Sequence, residues 1–423
     1  MPPDGAPPPA SGAPPTPFRL TSLIGPVYAP TVLYAIGQGI AIPVVPLFAK
    51  ELGAGLGLVG LIVAVRGIGS MLFDVPAGLL VSRFGGRSTM AAGTAGTALA
   101  AVGVAFSTNA WQLAALMLLT GASMSVWQVS RLTYIAEAAP AASRGRAIAL
   151  AGGSNRIGVF IGPFLGGFVG SAFGLASVFF VQAAVVAAGA LFVLWRTPAG
   201  VAAPATSRDG HAHARIGRTL VEYRRSFLTV GLVALALVLM RQARQVIMPL
   251  WGDEIGLDVA EIGVVIGLAS AADMVLFYPV GVVMDRYGRK FAVVPSLITL
   301  GTGMILIPVA DSFVPFLLAG LLTGFGNGLG SGVVMTLGAD LAPRDRAGEF
   351  LGVWRLISDS GAAAAPIAVG AAAEVLTLGI ASVATGGLGL AAAVVMVLFV
   401  SETLGREPIV PTEAQPPPEG SPP

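Results

Sequence analysis

Nine charged side chains fall inside stretches that are otherwise apolar: Arg66, Asp74, Arg131, Arg156, Arg241, Arg244, Asp273, Arg355 and Asp359. On the insertion scale each costs about 2.5–3.5 kcal/mol at the centre of a bilayer, so each needs a partner or a wet cavity. Their chemistry divides. A carboxylate at depth can take up and release a proton as its surroundings change, whereas a guanidinium keeps its proton and holds anions. Counting from the nearest loop at about 1.5 Å per residue, Asp273 and Asp359 are the mid-depth carboxylates and the two candidates for a coupling proton. Asp74 and Arg355 lie nearer one face. Arg66 and Arg241 lie deep, with Gln38 at a similar depth and Arg244 one turn from Arg241. They leave a surplus of positive charge suited to an anionic or zwitterionic substrate, unless Asp359 and backbone carbonyls absorb it. Trp127 and Asn327 are further substrate-binding candidates, and Gln128, Phe160, Trp251, Tyr278 and Trp354 could add polar or aromatic contacts; for each aromatic, Trp127 included, packing or lipid contact is equally open.

No nucleophile–base pair and no metal constellation stands beside these charges, so an enzyme is not expected, nor a cofactor or a resident metal. The chain has no Cys, and His211 and His213 sit in a polar loop with only Asp209 near in sequence, where a solvated pair is the simpler reading.

The elements that must hold such residues are membrane spans. Of 423 residues, 55% are hydrophobic and 11% charged, too few charges for a soluble surface of this length. Apolar blocks of about 20 residues predict spans at 24–48, 57–81, 89–107, 112–136, 146–170 and 174–195, then 227–251, 260–284, 290–309, 314–338, 350–373 and 379–400. The chain therefore reads as an all-α membrane protein of twelve transmembrane helices in two six-helix bundles, 24–195 and 227–402. A polar loop at 196–226 joins them, and tails at 1–23 and 403–423, rich in Pro, Gly, Ala and Ser, are expected to be disordered. No cleavable signal peptide is expected from the first residues.

Loop charge predicts the orientation. Arg19, Arg83, Arg87, Arg144, Arg146, six Arg between 196 and 225, Arg286, Arg289, Lys290, Arg344, Arg346 and Arg406 fall on one side. Lys50 alone falls on the other, among Asp253, Glu254, Asp258, Glu261 and Asp311. Both termini and the central loop should face the cytoplasm of a cell whose plasma or inner membrane holds the protein. The expected partners are the lipid bilayer, a small-molecule substrate and protons; nucleic acid is not expected, and a monomer is.

The two halves align without a gap at an offset of 203 residues. Pro46 and Leu47 fall on Pro249 and Leu250, Glu51 on Glu254, Gly60 on Gly263, Pro76 on Pro279, Arg83 on Arg286, Gly121 on Gly324, Glu137 on Asp340, Gly158 on Gly361 and Pro163 on Pro366. Each half has an even number of spans, so the repeat is parallel, about a pseudo-twofold axis along the membrane normal. Such a chain favours a central site between two halves that rock.

Two motifs carry a resemblance. Gly281-Val-Val-Met-Asp285-Arg286-Tyr-Gly288-Arg289-Lys290 resembles the loop motif of the major facilitator superfamily, and Gly78-Leu-Leu-Val-Ser82-Arg83-Phe-Gly85-Gly86-Arg87 is its degenerate counterpart. Span five holds Gly158-Val-Phe-Ile-Gly162-Pro163-Phe-Leu-Gly166-Gly167, similar to the antiporter motif of that superfamily's twelve-span drug/proton exporters. The resemblance runs over residues 20–402. It implies two pseudo-symmetric six-helix bundles and alternating access, with Asp285, Arg286 and Arg83 in a cytoplasmic latch. Ser82 replaces the acid of the first-half motif, so Glu137, mate of Asp340, is the alternative source of charge there. An acid in span one, carried by many such exporters, is absent, and so is the Arg expected near Met117.

In that superfamily spans two and eleven face each other across the halves, as do five and eight. The resemblance therefore suggests the pairs Asp74–Arg355 and Arg156–Asp273, the first as a gate and the second coupling the proton on Asp273 to separation of the halves, with Asp359 next in line. The alternative is that each Arg snorkels or bonds carbonyls in its own half. Three functions follow: proton-coupled efflux of small amphiphilic compounds, proton-coupled import of an organic anion, or a non-transporting receptor or scaffold.

Overall fold

The computed structural model describes residues 19–197, 221–343 and 346–403; most of the expected tails and central loop lies outside them. Twelve helices among the described residues are long and apolar enough to cross a membrane. We number them α1 (Ala29–Glu51), α2 (Leu56–Phe84), α3 (Gly86–Ala105), α4 (Ala110–Ala138), α5 (Ala141–Phe173) and α6 (Leu175–Arg196). The second half has α7 (Leu232–Glu254), α8 (Val259–Tyr287), α9 (Lys290–Leu306), α10 in two pieces (Phe313–Leu329 and Val333–Leu341), α11 (Ala347–Val375) and α12 (Leu378–Phe399).

The repeat holds in three dimensions. A π-helical turn leads into α1 at Ile24–Tyr28 and into α7 at Phe227–Gly231, positions 203 residues apart. The α1–α2 and α7–α8 turns each need a left-handed residue, supplied by the mates Gly53 (φ 81°) and Gly256 (φ 78°), which L side chains would strain. Helix starts are capped locally: Asn109 accepts from the Gln112 amide, Thr377 from that of Ile380, and Asp258 with Glu261 forms a capping box on α8. Within each half the packing repeats as well: α2 on α4 matches α8 on α10, α1 on α5 matches α7 on α11, and α3 on α6 matches α9 on α12. The halves meet through α2 with α11, α5 with α8 and α1 with α7.

Small residues set how close these helices come. A Cβ on Gly121 would lie 1.9 Å from the Arg66 carbonyl oxygen, and one on its mate Gly324 2.2 Å from that of Ala269. In α5, a Cβ on Gly162 would lie 2.5 Å from the Gly39 backbone and one on Gly166 2.4 Å from the Ile40 oxygen. Gly158 likewise abuts Ala35 and Ile36, and Gly167 turns instead to Gly263 across the halves. The glycines of the α5 motif are thus the packing surface for α1 and α8, and Pro163 sits among them against Gly39.

One expectation needs correction. The tenth span is not a continuous helix over 314–338: it breaks at Gly330–Gly332, where Gly332 is left-handed (φ 76°). Alternating glycines at 326, 328, 330 and 332 weaken the helix there, and the freed polar groups face protein rather than lipid, as a membrane requires.

Candidate substrate cavity

The halves touch at one end and part at the other. At the end that carries Lys50, one buried apolar cluster runs through both halves, from Ile40 and Val44 to Val246, Ile247 and Val369. Gly60 packs on Gly370 and, by symmetry, Gly263 on Gly167. Polar contacts seal the same end. Lys50 pairs with its own repeat mate Asp253 at 2.5 Å, the Gly57 amide donates to Glu374 at 3.0 Å, and the Ser171 hydroxyl donates to Asp258 at 2.5 Å. Towards the end that carries Arg83 and Arg286 the buried clusters are separate, one set in each half.

Between the halves lies a cavity of about 580 Å³, within the size range of small-molecule sites. Gln38, Arg66, Trp127, Arg241, Arg244 and Asn327, the six substrate-binding candidates, all line it, as do Arg156 and Asp273. Arg156 and Asp273 form an ion pair across α5 and α8. The Arg156 Nη2 also donates to the Ser331 hydroxyl at 3.0 Å, in the break of α10, and that hydroxyl reaches Asp273 at 3.3 Å. Arg156 lies over the Phe277 ring at 4.3 Å. Protonation of Asp273 would therefore release a guanidinium held by a hydroxyl and a ring.

The other cations are less well matched. Arg66 donates to Gln245 across the halves at 3.3 Å, and Arg241 donates to the Asn327 carbonyl at 3.2 Å. Arg131 stacks on Trp127 at 4.3 Å, and Trp127 stacks on Tyr34 at 4.0 Å with 11° between planes. Buried nitrogens of Arg131 (Nε and Nη1), Arg241 (Nε) and Arg244 (Nη1) have no hydrogen-bond partner among the described residues.

Other candidates lie elsewhere. The Asp74–Arg355 contact is not made: Asp74 accepts from the Ser125 hydroxyl at 2.5 Å, and Arg355 turns to Asp359 one turn along α11, at 3.3 Å. The reason is the parting of the halves at this end, which leaves each side chain to a neighbour in its own half. Asp359 does not line the cavity. Trp251 and Trp354 donate to the Ala310 and Val334 carbonyls of their own half, and Tyr278 is exposed.

In the second-half loop motif, Arg289 holds Asp340 at 2.8 Å and donates to the Met284 carbonyl at 2.7 Å; Asp285, mostly exposed, reaches it only at 3.4 Å. The bond from Asp340 raises the Arg289 guanidinium pKa further, so it stays charged at any working pH. In the first half Arg289 is matched by Gly86, so Glu137 has no such partner in the motif. The mates Arg87 and Lys290 donate to the mates Leu194 and Val397, carbonyls near the C-termini of α6 and α12. Arg83 lies over the Phe84 ring at 5.3 Å; Arg286, its mate, is exposed at the end of α8.

Sequence reasoning passed over Arg131, Gln242, Gln245 and Ser331 as site residues. The signal for two of them was present: Arg241-Gln-Ala-Arg-Gln245 is a dense polar run inside an apolar helix. Ser331 is reached only through the break in α10.

The comparisons agree with this architecture. The sequence profile of the Major Facilitator Superfamily matches residues 29–243 and 230–421. An uncharacterized MFS-type transporter of Methanocaldococcus jannaschii is 28% identical over 149 residues, 35% of this chain and 39% of that protein. The inner membrane transport protein YajR of Escherichia coli is 26% identical over 223 residues, 52% of this chain and 48% of its own. The matched regions thus span less than half the length of either relative. A POT family transporter solved with a thioalcohol-conjugated peptide superposes with a TM-score of 0.73 at 12% identity, over 90% of this chain and 95% of that one. A bacterial homolog of the human lysosomal transporter Spinster, inward-facing and unoccupied, gives 0.68 at 14% identity over the same shares. At such identities the likeness is one of fold.

Proposed function

Because the chain belongs to the Major Facilitator Superfamily, and so is a transporter rather than an enzyme, we propose that it moves a small organic anion across the membrane by alternating access, driven by protons through Asp273. The observation that carries this reading is the lining of the central cavity, where five guanidiniums face one carboxylate among the described residues. Such an excess repels organic cations and rewards an anion. Efflux of amphiphilic compounds draws its support from the α5 motif, whose glycines are accounted for by helix packing.

Proton coupling is supported by the position of Asp273. It lies in the cavity and joins the halves through Arg156, so its protonation state bears on both substrate charge and the separation of the halves. We place the protein in the cell membrane as a monomer, with Arg83, Arg286 and both termini on the cytoplasmic side; a reporter inserted between Asp253 and Asp258 should then read out externally. In proteoliposomes, an imposed pH gradient should drive accumulation of an organic anion. Asp273→Asn should abolish gradient-driven accumulation while leaving downhill exchange. Full gradient-driven transport by Asp273→Asn, with unchanged pH dependence, would remove Asp273 from the mechanism and make Asp359 the next group to test.

A further inference from the structure

Donors without partners stand on both sides of the cavity. In the first half the donor is Arg131 of α4, fixed in place by the stack of its guanidinium on Trp127 and of Trp127 on Tyr34. Its buried Nε and Nη1 make no hydrogen bond. In the second half Arg241 and Arg244 of α7 are one turn apart on one helix face, and each has a buried nitrogen without a partner. The one carboxylate lining the cavity among the described residues, Asp273, is already held by Arg156 and Ser331. It makes no hydrogen bond to either group of donors among the described residues.

We propose that the cavity binds an organic anion with at least two negative groups, carboxylate or phosphate, one held by Arg131 and the other by Arg241 and Arg244. This deepens the anion reading given above and rests on it. A single negative group would satisfy one half and leave the cations of the other buried without a bonded anion, the costly arrangement in a low-dielectric site. Two groups satisfy both. The planar fork of each guanidinium suits either oxyanion, and a carboxylate or phosphate there gains charge-assisted bonds. Binding of this kind has a mechanical consequence. An anion shared by α4 and α7 is held best when the two halves approach at the open end, so it favours the closed form by the difference in its affinity for the two.

The test is ligand binding to the full-length purified protein, read as thermal stabilisation at fixed ionic strength. The probes are propionate, succinate and tricarballylate, with 2-phosphoglycolate, which carries one phosphate and one carboxylate, as the phosphate arm and choline as the cation control. Succinate or 2-phosphoglycolate should bind about ten-fold or more tighter than propionate, and Arg131→Gln or Arg244→Gln should reduce that preference to near unity. Arg244→Gln should also raise the melting temperature of the ligand-free protein, because it removes a buried cation whose Nη1 has no hydrogen-bond partner among the described residues; a merely structural arginine would lower it. Propionate binding as well as the dianions would overturn the two-group proposal and leave the anion reading intact. Binding of choline but of none of the anions would overturn both. If Arg244→Gln is not recovered folded, the graded series on the unaltered protein decides alone.

Discussion

Arg289 and Asp340 show how the loop motif works in this chain. Arg289 is largely buried, forks onto Asp340, and is also tied to the carbonyl that ends the α8 ladder at Met284. Removing one partner of such a pair leaves a charge stranded, which costs about 3–5 kcal/mol when burial is complete and less at partial burial. Asp340→Ala should therefore lower stability by about 2–3 kcal/mol, measured as a fall in melting temperature of the purified protein. Glu137→Ala should change it little, because Gly86 stands where Arg289 would be. Equal losses in the two variants would contradict this asymmetry. The motif's conspicuous acid, Asp285, contributes at most about 0–1 kcal/mol as an exposed pair. From sequence alone Asp285 and Asp340 could not be ranked, since burial of the loop decides between them. Arg131 was hidden for a similar reason: its depth along α4 put it near one face, and only the stack on Trp127 carries it into the cavity.

At the scale of helices, the glycines have two separable jobs. Gly121 and Gly324 seat α4 on α2 and α10 on α8 within a half, whereas Gly60, Gly167, Gly263 and Gly370 seat one half on the other. Forcing an extra side chain into such a contact costs about 1–3 kcal/mol, which is about five- to 150-fold in an equilibrium. Gly263→Val should move the population away from the form closed at the Lys50 end. Since the chain has no Cys, crosslinking of the pair Lys50→Cys and Asp253→Cys can report this, and its yield should fall. Gly324→Val should instead destabilise the second half, lowering the melting temperature while leaving the crosslink yield of folded protein unchanged. The same crosslink loss in both variants would show that the distinction is not real. The offset of 203 made this pattern legible in outline: mates in sequence became mates in packing, down to the π turns before α1 and α7. The break in α10 was not legible. Its glycines resemble packing glycines in composition, and the groups at the break find their partners on other helices, Arg156 at the Ser331 hydroxyl and Arg241 at the Asn327 carbonyl, both long-range contacts.

At the scale of the molecule, alternating access requires that contacts at the closed end be exchanged for contacts at the open one. Lys50–Asp253 joins two repeat mates across the axis, so it would have to break for that end to open. We propose that Asp74 and Arg355 replace it. They stand on α2 and α11, helices packed together at Gly60 and Gly370 but parted beyond, and each is held only lightly. Asp74 has a neutral hydroxyl, while Arg355, with 69% of its side chain exposed, has Asp359 at 3.3 Å. An exposed pair of this kind is worth about 0–1 kcal/mol, so giving it up costs little when α2 and α11 close. If the two meet in the opposite state, their charges should be interchangeable. Asp74→Arg and Arg355→Asp should each cut transport about ten-fold, since either places like charges face to face at about 1–2 kcal/mol. The double variant should recover most of the loss. The melting temperature of all three should stay near that of the unaltered protein, because the two residues do not touch in this form and the Arg355–Asp359 pair that is lost is exposed. If the double variant transports no better than the weaker single one, Asp74 and Arg355 do not form the gate.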